Sequence, residues 1–120
     1  MEESAKRFTA QKIKDTAQTF CQLIDEEIPC TGRFLKKHIG FEIPDTGFEG
    51  VLGIEEYGKE PLTMRCLSVG VYDNESGMMR FNYKFKGTND EVMSFLRSKE
   101  GLKEIFRSVV HLYDRCVSNR

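Results

Sequence analysis

The glycines of this chain are concentrated in its middle. Nine of the ten lie between Gly32 and Gly87, and the tenth is Gly101. Glycine weakens helices and marks turns, bulges and close backbone approaches in sheets. The two ends of the chain are therefore predicted to be helical, and the middle to consist of strands and turns. No internal repeat, low-complexity segment or linker divides the 120 residues, so residues 1–120 are expected to form a single α+β domain.

The first helix is predicted to run from about Ser4 or Thr9 to about Ile28. Its apolar residues recur at spacings of three and four and comprise Ala10, Ile13, Ala17, Phe20, Ile24 and Ile28. Pro29 ends the helix, because the residue before a proline resists the α conformation. The apolar stripe is also close to heptad spacing, so it packs on the chain's own sheet or pairs with a partner helix.

Four strands are predicted in the glycine-rich middle, after one helical turn over residues 33–38. The strands run from Ile39 to Ile43, from Phe48 to Tyr57, from about Leu62 to Tyr72, and from Met79 to Lys86. The connections at residues 44–47 and 73–77 have the residue types of hairpin turns. The alternation of the third strand changes phase near Cys66-Leu67, which indicates a β-bulge.

The fourth strand has the clearest alternation in the chain. Met79, Phe81, Tyr83 and Phe85 alternate with Arg80, Asn82, Lys84 and Lys86. A period of two is typical of a strand with one buried and one solvated face. We therefore expect the aromatic series in the core and the basic series in solvent.

Two helices are predicted after the sheet. Thr88-Asn89-Asp90 caps a short helix through Arg97, and Ser98 caps a second one. The apolar face of the last helix comprises Leu102, Ile105, Phe106, Val109, Leu112, Tyr113 and Cys116. The predicted fold is thus a four-stranded antiparallel meander with an N-terminal helix and two C-terminal helices packed mainly on one face.

This order of elements is similar to that of the RWD domain, a family of interaction modules. The likeness is carried by the order of the elements, since the tyrosine-proline motif of that family has no counterpart in this chain. The resemblance implies a role in binding other proteins.

The charges of the chain are nearly balanced, with 18 Lys plus Arg against 19 Asp plus Glu. A dedicated nucleic-acid binder would usually be strongly basic, so nucleic acid is disfavoured as a partner. The apolar runs are far shorter than the roughly 20 residues of a membrane-spanning helix, so no membrane is expected either. The start, Met1-Glu2-Glu3-Ser4, lacks the basic and apolar regions of a signal peptide, and the cytoplasm is the expected location.

None of the common catalytic or cofactor motifs occurs in the sequence. It has no phosphate-binding glycine loop, no nucleophile elbow and no zinc-protease helix motif. The cysteines, Cys21, Cys30, Cys66 and Cys116, form no C-x-x-C pair, and neither His38 nor His111 lies at zinc-finger spacing. Reduced thiols, no metal and no cofactor are therefore expected. Cys30 and His38 form the one candidate nucleophilic pair, and a loop cysteine beside a basic turn is the favoured interpretation.

Basic residues form two groups that together make a candidate ligand site. Arg33, Lys36 and Lys37 precede the sheet, and Arg80, Lys84 and Lys86 are assigned to the solvent-exposed face of the fourth strand. Such a face could bind a polyanion, and stacking on it would require outward-facing aromatic rings.

Three functions follow, in order of preference. The first is a non-enzymatic protein–protein interaction or accessory module, with a protein partner or a second copy of the chain bound by a helix or by the open sheet. The alternative is a small-ligand or polyanion-binding domain that uses the basic sheet face. An enzyme with Cys30 and His38 in its site ranks third, and no catalytic residue is assigned.

Overall fold

A computed structural model describes residues 3–25, 36–57 and 64–118 of the chain. Its elements are α1 (Glu3–Asp25), β1 (Lys36–Ile43), β2 (Phe48–Tyr57), β3 (Met64–Asp73), β4 (Met79–Gly87), α2 (Asn89–Arg97) and α3 (Lys99–Ser118). The strands form an antiparallel sheet in the order β1-β2-β3-β4. This confirms the predicted fold class.

The core lies between the three helices and one face of the sheet. It includes Ile13, Phe20 and Ile24 of α1, Leu52, Ile54, Leu67, Val69 and Val71 of β2 and β3, and Val92, Leu96, Ile105, Val109 and Leu112 of α2 and α3. None of the three described helices is long and apolar enough to cross a membrane. The single domain and the cytoplasmic location stay predictions.

The buried stripe of α1 is rotated slightly from the predicted one. Ala17 is buried as expected, whereas Ala10 is exposed and Ile28 lies outside the described residues. Thr9 and Thr16 are buried instead, and the Thr9 hydroxyl donates to the carbonyl oxygen of Ala5 at 2.7 Å. A threonine can be buried in a helix because its hydroxyl bonds to the preceding turn.

The strand β1 begins earlier than predicted. Lys36, Lys37 and His38 pair with Glu55, Ile54 and Gly53 of β2, so the predicted helical turn over residues 33–38 is wrong from Lys36 onward. The long neighbour β2 supplies ladder partners that local sequence does not reveal. Residues 33–35 lie outside the described residues, as does Leu62 at the predicted start of the third strand.

The two predicted hairpins are confirmed, and side chains hold both turns. In the first turn the Thr46 hydroxyl donates to the Ile43 carbonyl oxygen at 2.7 Å and accepts from the Phe48 amide at 3.1 Å. In the second, the Asp73 carboxylate accepts from the Glu75 amide at 2.9 Å. Gly77 has a φ of 75°, a conformation that favours glycine.

The caps of α2 and α3 are also confirmed. The Thr88 hydroxyl accepts from the Glu91 amide at 3.3 Å, and the Glu91 carboxylate accepts from the Thr88 amide at 3.1 Å. The Ser98 hydroxyl accepts from the Gly101 amide at 2.8 Å. A Cβ on Gly101 would collide with the carbonyl oxygen of Phe95, so glycine allows α3 to start close against α2.

Candidate functional site

A β-bulge in β4 decides which side chains reach the uncovered face of the sheet. Leu67 pairs with Phe85, and Ser68 pairs with Tyr83, so Lys84 has no partner in the ladder. An extra residue in one strand reverses its alternation relative to the neighbour. The sequence indicated a bulge in the third strand near Cys66-Leu67, whereas the irregularity lies opposite Leu67 and Ser68 and its extra residue belongs to β4.

The aromatic series changes face at the bulge, so that only its last member, Phe85, faces the core. Phe81 is 44% exposed and Tyr83 is 53% exposed, and Met79 is also exposed. Phe85, beyond the bulge, packs against the core and stacks on Phe95 with ring centroids 4.8 Å apart. The prediction that this series is buried is therefore right for Phe85 and wrong for the other three.

Three rows of side chains cross this uncovered side, which we call the open face. Read from β1 to β4 they are His38–Gly53–Ser68–Tyr83, Gly40–Val51–Gly70–Phe81 and Glu42–Glu49–Tyr72–Met79. In the first two rows β2 and β3 contribute small side chains, whereas β4 contributes an aromatic ring. The open face is therefore recessed at its centre, over β2 and β3, and raised along its edge at β4.

This low centre is a trough with a volume of about 520 Å³. Its lining comprises His38, Gly40, Glu49, Val51, Gly53, Ser68, Gly70, Tyr72, Met79 and Phe81. The volume falls within the range of small-molecule and side-chain binding sites. Most of the lining is apolar or glycine, and Glu49 is the one acid among these residues.

The glycines of the trough differ in how much space they leave. A Cβ on Gly53 would lie 2.7 Å from the Ser68 hydroxyl, and one on Gly70 would lie 3.3 Å from the Cβ of Phe81. A Cβ on Gly40 would have its nearest neighbour, the Gly50 carbonyl oxygen, at 3.6 Å. Gly40 thus leaves part of the trough floor open, because an added methyl group there would meet only ordinary van der Waals contacts.

The acidic charge of the open face is concentrated in the row of Glu42 and Glu49, because the outer row contains Glu55 together with Lys36 and Lys86. The Glu49 carboxylate reaches over Gly40, with Oε2 3.8 Å from the position of an added Cβ. Glu42 lies opposite Glu49, and the Glu55 carboxylate, one row beyond His38, accepts a hydrogen bond of 3.1 Å from the Tyr83 hydroxyl. Lys86 is in that outer row as well, opposite Cys66. A bound group that carries a positive charge near Glu49 is therefore favoured.

Comparison with protein families, curated proteins and solved structures gave no match. The protein-binding role that the resemblance to RWD domains implies stays a prediction. The function is accordingly argued from the open face itself.

The basic residues of β4 do not share one face. Arg80 lies opposite Val71, on the side of the strand away from Phe81, and Lys84 is the bulged residue. Lys86 alone of the three occupies a row of the open face. The assignment of Arg80, Lys84 and Lys86 to a common solvated face is wrong because the bulge interrupts the alternation, and their role in ligand binding stays a prediction.

Lys37, in the other predicted basic group, has a structural role. Its ammonium group donates to the carbonyl oxygen of Leu23 at 2.9 Å, and Arg65 donates to that of Ile24 at 3.0 Å. The described last turn of α1 has no basic residue of its own, so cations from the sheet satisfy its terminal carbonyls. Arg33 lies outside the described residues, and the side chain of Lys36 is not described.

The cysteines and histidines do not converge in the described parts of the chain. Cys21 is buried, and burial raises the pKa of its thiol, while the neighbouring Arg97 opposes that effect. His38 is exposed on the trough lining and His111 is exposed on α3. Cys30 lies outside the described residues, so the expectation that it does not pair with His38 stays a prediction. Among the described residues, no three His, Cys, Asp or Glu side chains could hold a metal ion.

Proposed function

We propose that this chain is a non-enzymatic protein–protein interaction module that binds a partner segment on the open face of its sheet. The observation that carries this proposal is the exposed edge of Met79, Phe81 and Tyr83 beside the trough. Large apolar side chains grouped on a surface and rimmed by polar residues mark interaction sites more often than they mark ordinary surface. Aromatic residues also supply most of the binding energy in many interfaces.

The partner segment has an apolar side chain next to a lysine or arginine. The apolar side chain fills the trough over Gly40 and Val51, where the lining is apolar. The cation lies near Glu49 and against the ring of Tyr72 or Phe81, since aromatic faces attract cations. A polyanion fits this surface less well, because Glu42 and Glu49 would repel it.

The first test selects binders from a library of displayed random peptides. We expect enrichment of peptides in which a basic residue adjoins a leucine or an aromatic residue. The selected peptides should bind the Phe81→Ser variant at least about tenfold more weakly, the loss typical of truncating a central interface residue.

Phe8→Ser is the matched control for Phe81→Ser. Phe8 is 49% exposed, similar to Phe81, but it lies on α1 on the opposite side of the sheet. If Phe81→Ser loses peptide binding and Phe8→Ser does not, the result supports the open face as the binding site. Equal loss in both variants, or selected peptides without basic residues, would contradict the proposal.

A second variant, Gly40→Val, fills the trough without removing any contact. Its Cβ has room, and valine favours strands, so the fold should be unchanged or slightly more stable. Peptide affinity should nevertheless fall.

If sedimentation instead shows a dimer that Phe81→Ser and Gly40→Val both dissociate, the occupant of the face is a second copy of the chain. If small organic cations bind as tightly as the peptides, the ligand-binding alternative replaces the interaction module.

A further inference from the structure

A second groove, the helix groove, lies on the other side of the molecule from the trough. Its volume is about 520 Å³, and its lining comprises Ala10, Lys14, Arg97, Lys99, Leu102, Lys103 and Phe106. These residues come from α1, the end of α2 and the first turns of α3. The groove therefore follows the line along which α1 packs against the C-terminal helices.

The lining of the helix groove combines an apolar floor with a basic rim. Leu102 and Phe106 are half-buried and pack against the core, which leaves part of each side chain accessible. Four of the seven lining residues are cations and none is acidic. The Lys103 ammonium forms an ion pair of 3.8 Å with Glu100, and both side chains of that pair are largely exposed. The rim is thus positive in a chain whose net charge is −1.

We propose that the helix groove binds an acidic amphipathic helix of a partner protein. A helix laid between α1 and α3 would place leucine or aromatic side chains on Leu102 and Phe106, as in other helix-in-groove complexes. Its flanking carboxylates would meet Lys14, Lys99 and Lys103. This binding is separate from that proposed for the open face, since the two surfaces share no residue.

An acidic helix fits the groove better than a nucleic acid. Phosphate backbones need cations along a groove, with aromatic rings accessible for base stacking. Here Phe106 is half-buried and packs against the core, and it is the only aromatic residue among the lining residues of the groove. Apolar contact flanked by charge is the pattern that an amphipathic helix complements.

The test measures fluorescence anisotropy with a labelled peptide of Glu and Leu in which the leucines recur at helical spacing. A scrambled peptide of the same composition has the same charge without an apolar face. We expect the amphipathic peptide to bind the wild-type protein at least about tenfold more tightly than the scrambled one, and to lose at least about tenfold in affinity to the Lys99→Glu/Lys103→Glu variant.

The charge-reversed variant should fold normally, because both residues are exposed and Lys99 lies in the first turn of α3, where an acidic residue is favourable. Lys12→Glu/Arg115→Glu is the matched control, since it changes the net charge equally at two exposed cations that line neither the groove nor the trough. The proposal is overturned if the scrambled peptide binds equally well, if the control variant loses as much affinity, or if oligothymidylate binds more tightly than the amphipathic peptide and depends on Lys99 and Lys103.

Discussion

At the scale of single residues, the glycines of the sheet separate into those that make room for a neighbour and those that leave a surface open. Gly50 lies on the core face, where an added Cβ would collide with the ring of Phe41. Gly40 lies on the open face, with only ordinary contacts. The sequence shows where these glycines are, but only the packing shows which of them a side chain could replace.

Gly50→Ala should therefore destabilise the protein by about 1–3 kcal/mol, the usual cost of inserting a group into a packed core. Gly40→Ala should change the free energy of unfolding by no more than about 0.5 kcal/mol. Urea denaturation of both variants measures the difference. Equal midpoints would show that the Phe41 ring does not occupy the space over Gly50.

The thiols of the described cysteines should differ in reactivity. Burial raises the pKa of Cys21 and also blocks access to it, whereas Cys66 and Cys116 are only half-buried. Because the thiolate is the reacting form, alkylation of Cys21 should be slower at neutral pH and should increase only at more alkaline pH. Peptide mass spectrometry after timed alkylation assigns the rate to each cysteine. Labelling of Cys21 as fast as that of Cys116 would contradict its burial.

At the scale of elements, local sequence predicted most boundaries but not the phase of β4. The bounds of β2 and the caps at Thr88 and Ser98 follow from local chemistry, and the structure confirms them. The alternation of β4 does not show which of its two series faces the core, because an aromatic series can face either the core or the solvent. The second hairpin contained the missing information, since pairing Tyr72 with Met79 across it places Phe81 opposite Gly70, on the face away from Val69.

Arg65 should contribute more to stability than an exposed arginine does. Its guanidinium donates to the carbonyl oxygen of Ile24 at 3.0 Å and to the side-chain oxygen of Asn89 at 2.7 Å, so it connects the end of α1 to the start of α2. Hydrogen bonds from charged groups contribute about 1.5–3 kcal/mol. Arg65→Met should lower the free energy of unfolding by about that amount, and Arg115→Met by much less. Chemical denaturation of the two variants compares them directly, and similar losses would argue against this capping role.

The capping box of α2 should make stability depend on acid pH. The hydrogen bond from the Thr88 amide lowers the pKa of Glu91. A carboxyl whose folded pKa lies below its unfolded value of about 4.3 stabilises the protein above that value and loses the effect as pH falls through the folded pKa. Glu91→Gln keeps a hydrogen-bond acceptor without the charge. The thermal unfolding midpoint of this variant should therefore decrease less than that of the wild-type protein when the pH is lowered from about 6 to about 3. Parallel curves for the two proteins would contradict the prediction.

At the scale of the whole molecule, the trough and the helix groove are lined by charges of opposite sign. Glu42 and Glu49 belong to the open face, whereas Lys14, Lys99 and Lys103 rim the helix groove. The balanced composition hid this arrangement, because a net charge of −1 does not show how charges are distributed. The candidate site was likewise only partly predictable: the open sheet followed from element order, but the outward rings followed from the pairing of β4 with β3 across the second hairpin.

Binding at the two surfaces should therefore be lost independently. Phe81→Ser should lower the affinity for the selected basic peptides and leave the affinity for the acidic amphipathic peptide unchanged. Lys99→Glu/Lys103→Glu should do the reverse, and the combined variant should show both losses, each of the size measured alone. This follows because the two sets of residues lie on opposite sides of the sheet and the two surfaces share no lining residue, and effects at such distant sites usually add within about 0.5 kcal/mol. Anisotropy titrations with each peptide in turn measure all the variants. A loss of acidic-peptide binding in Phe81→Ser would instead show that the open face and the helix groove are coupled through the core.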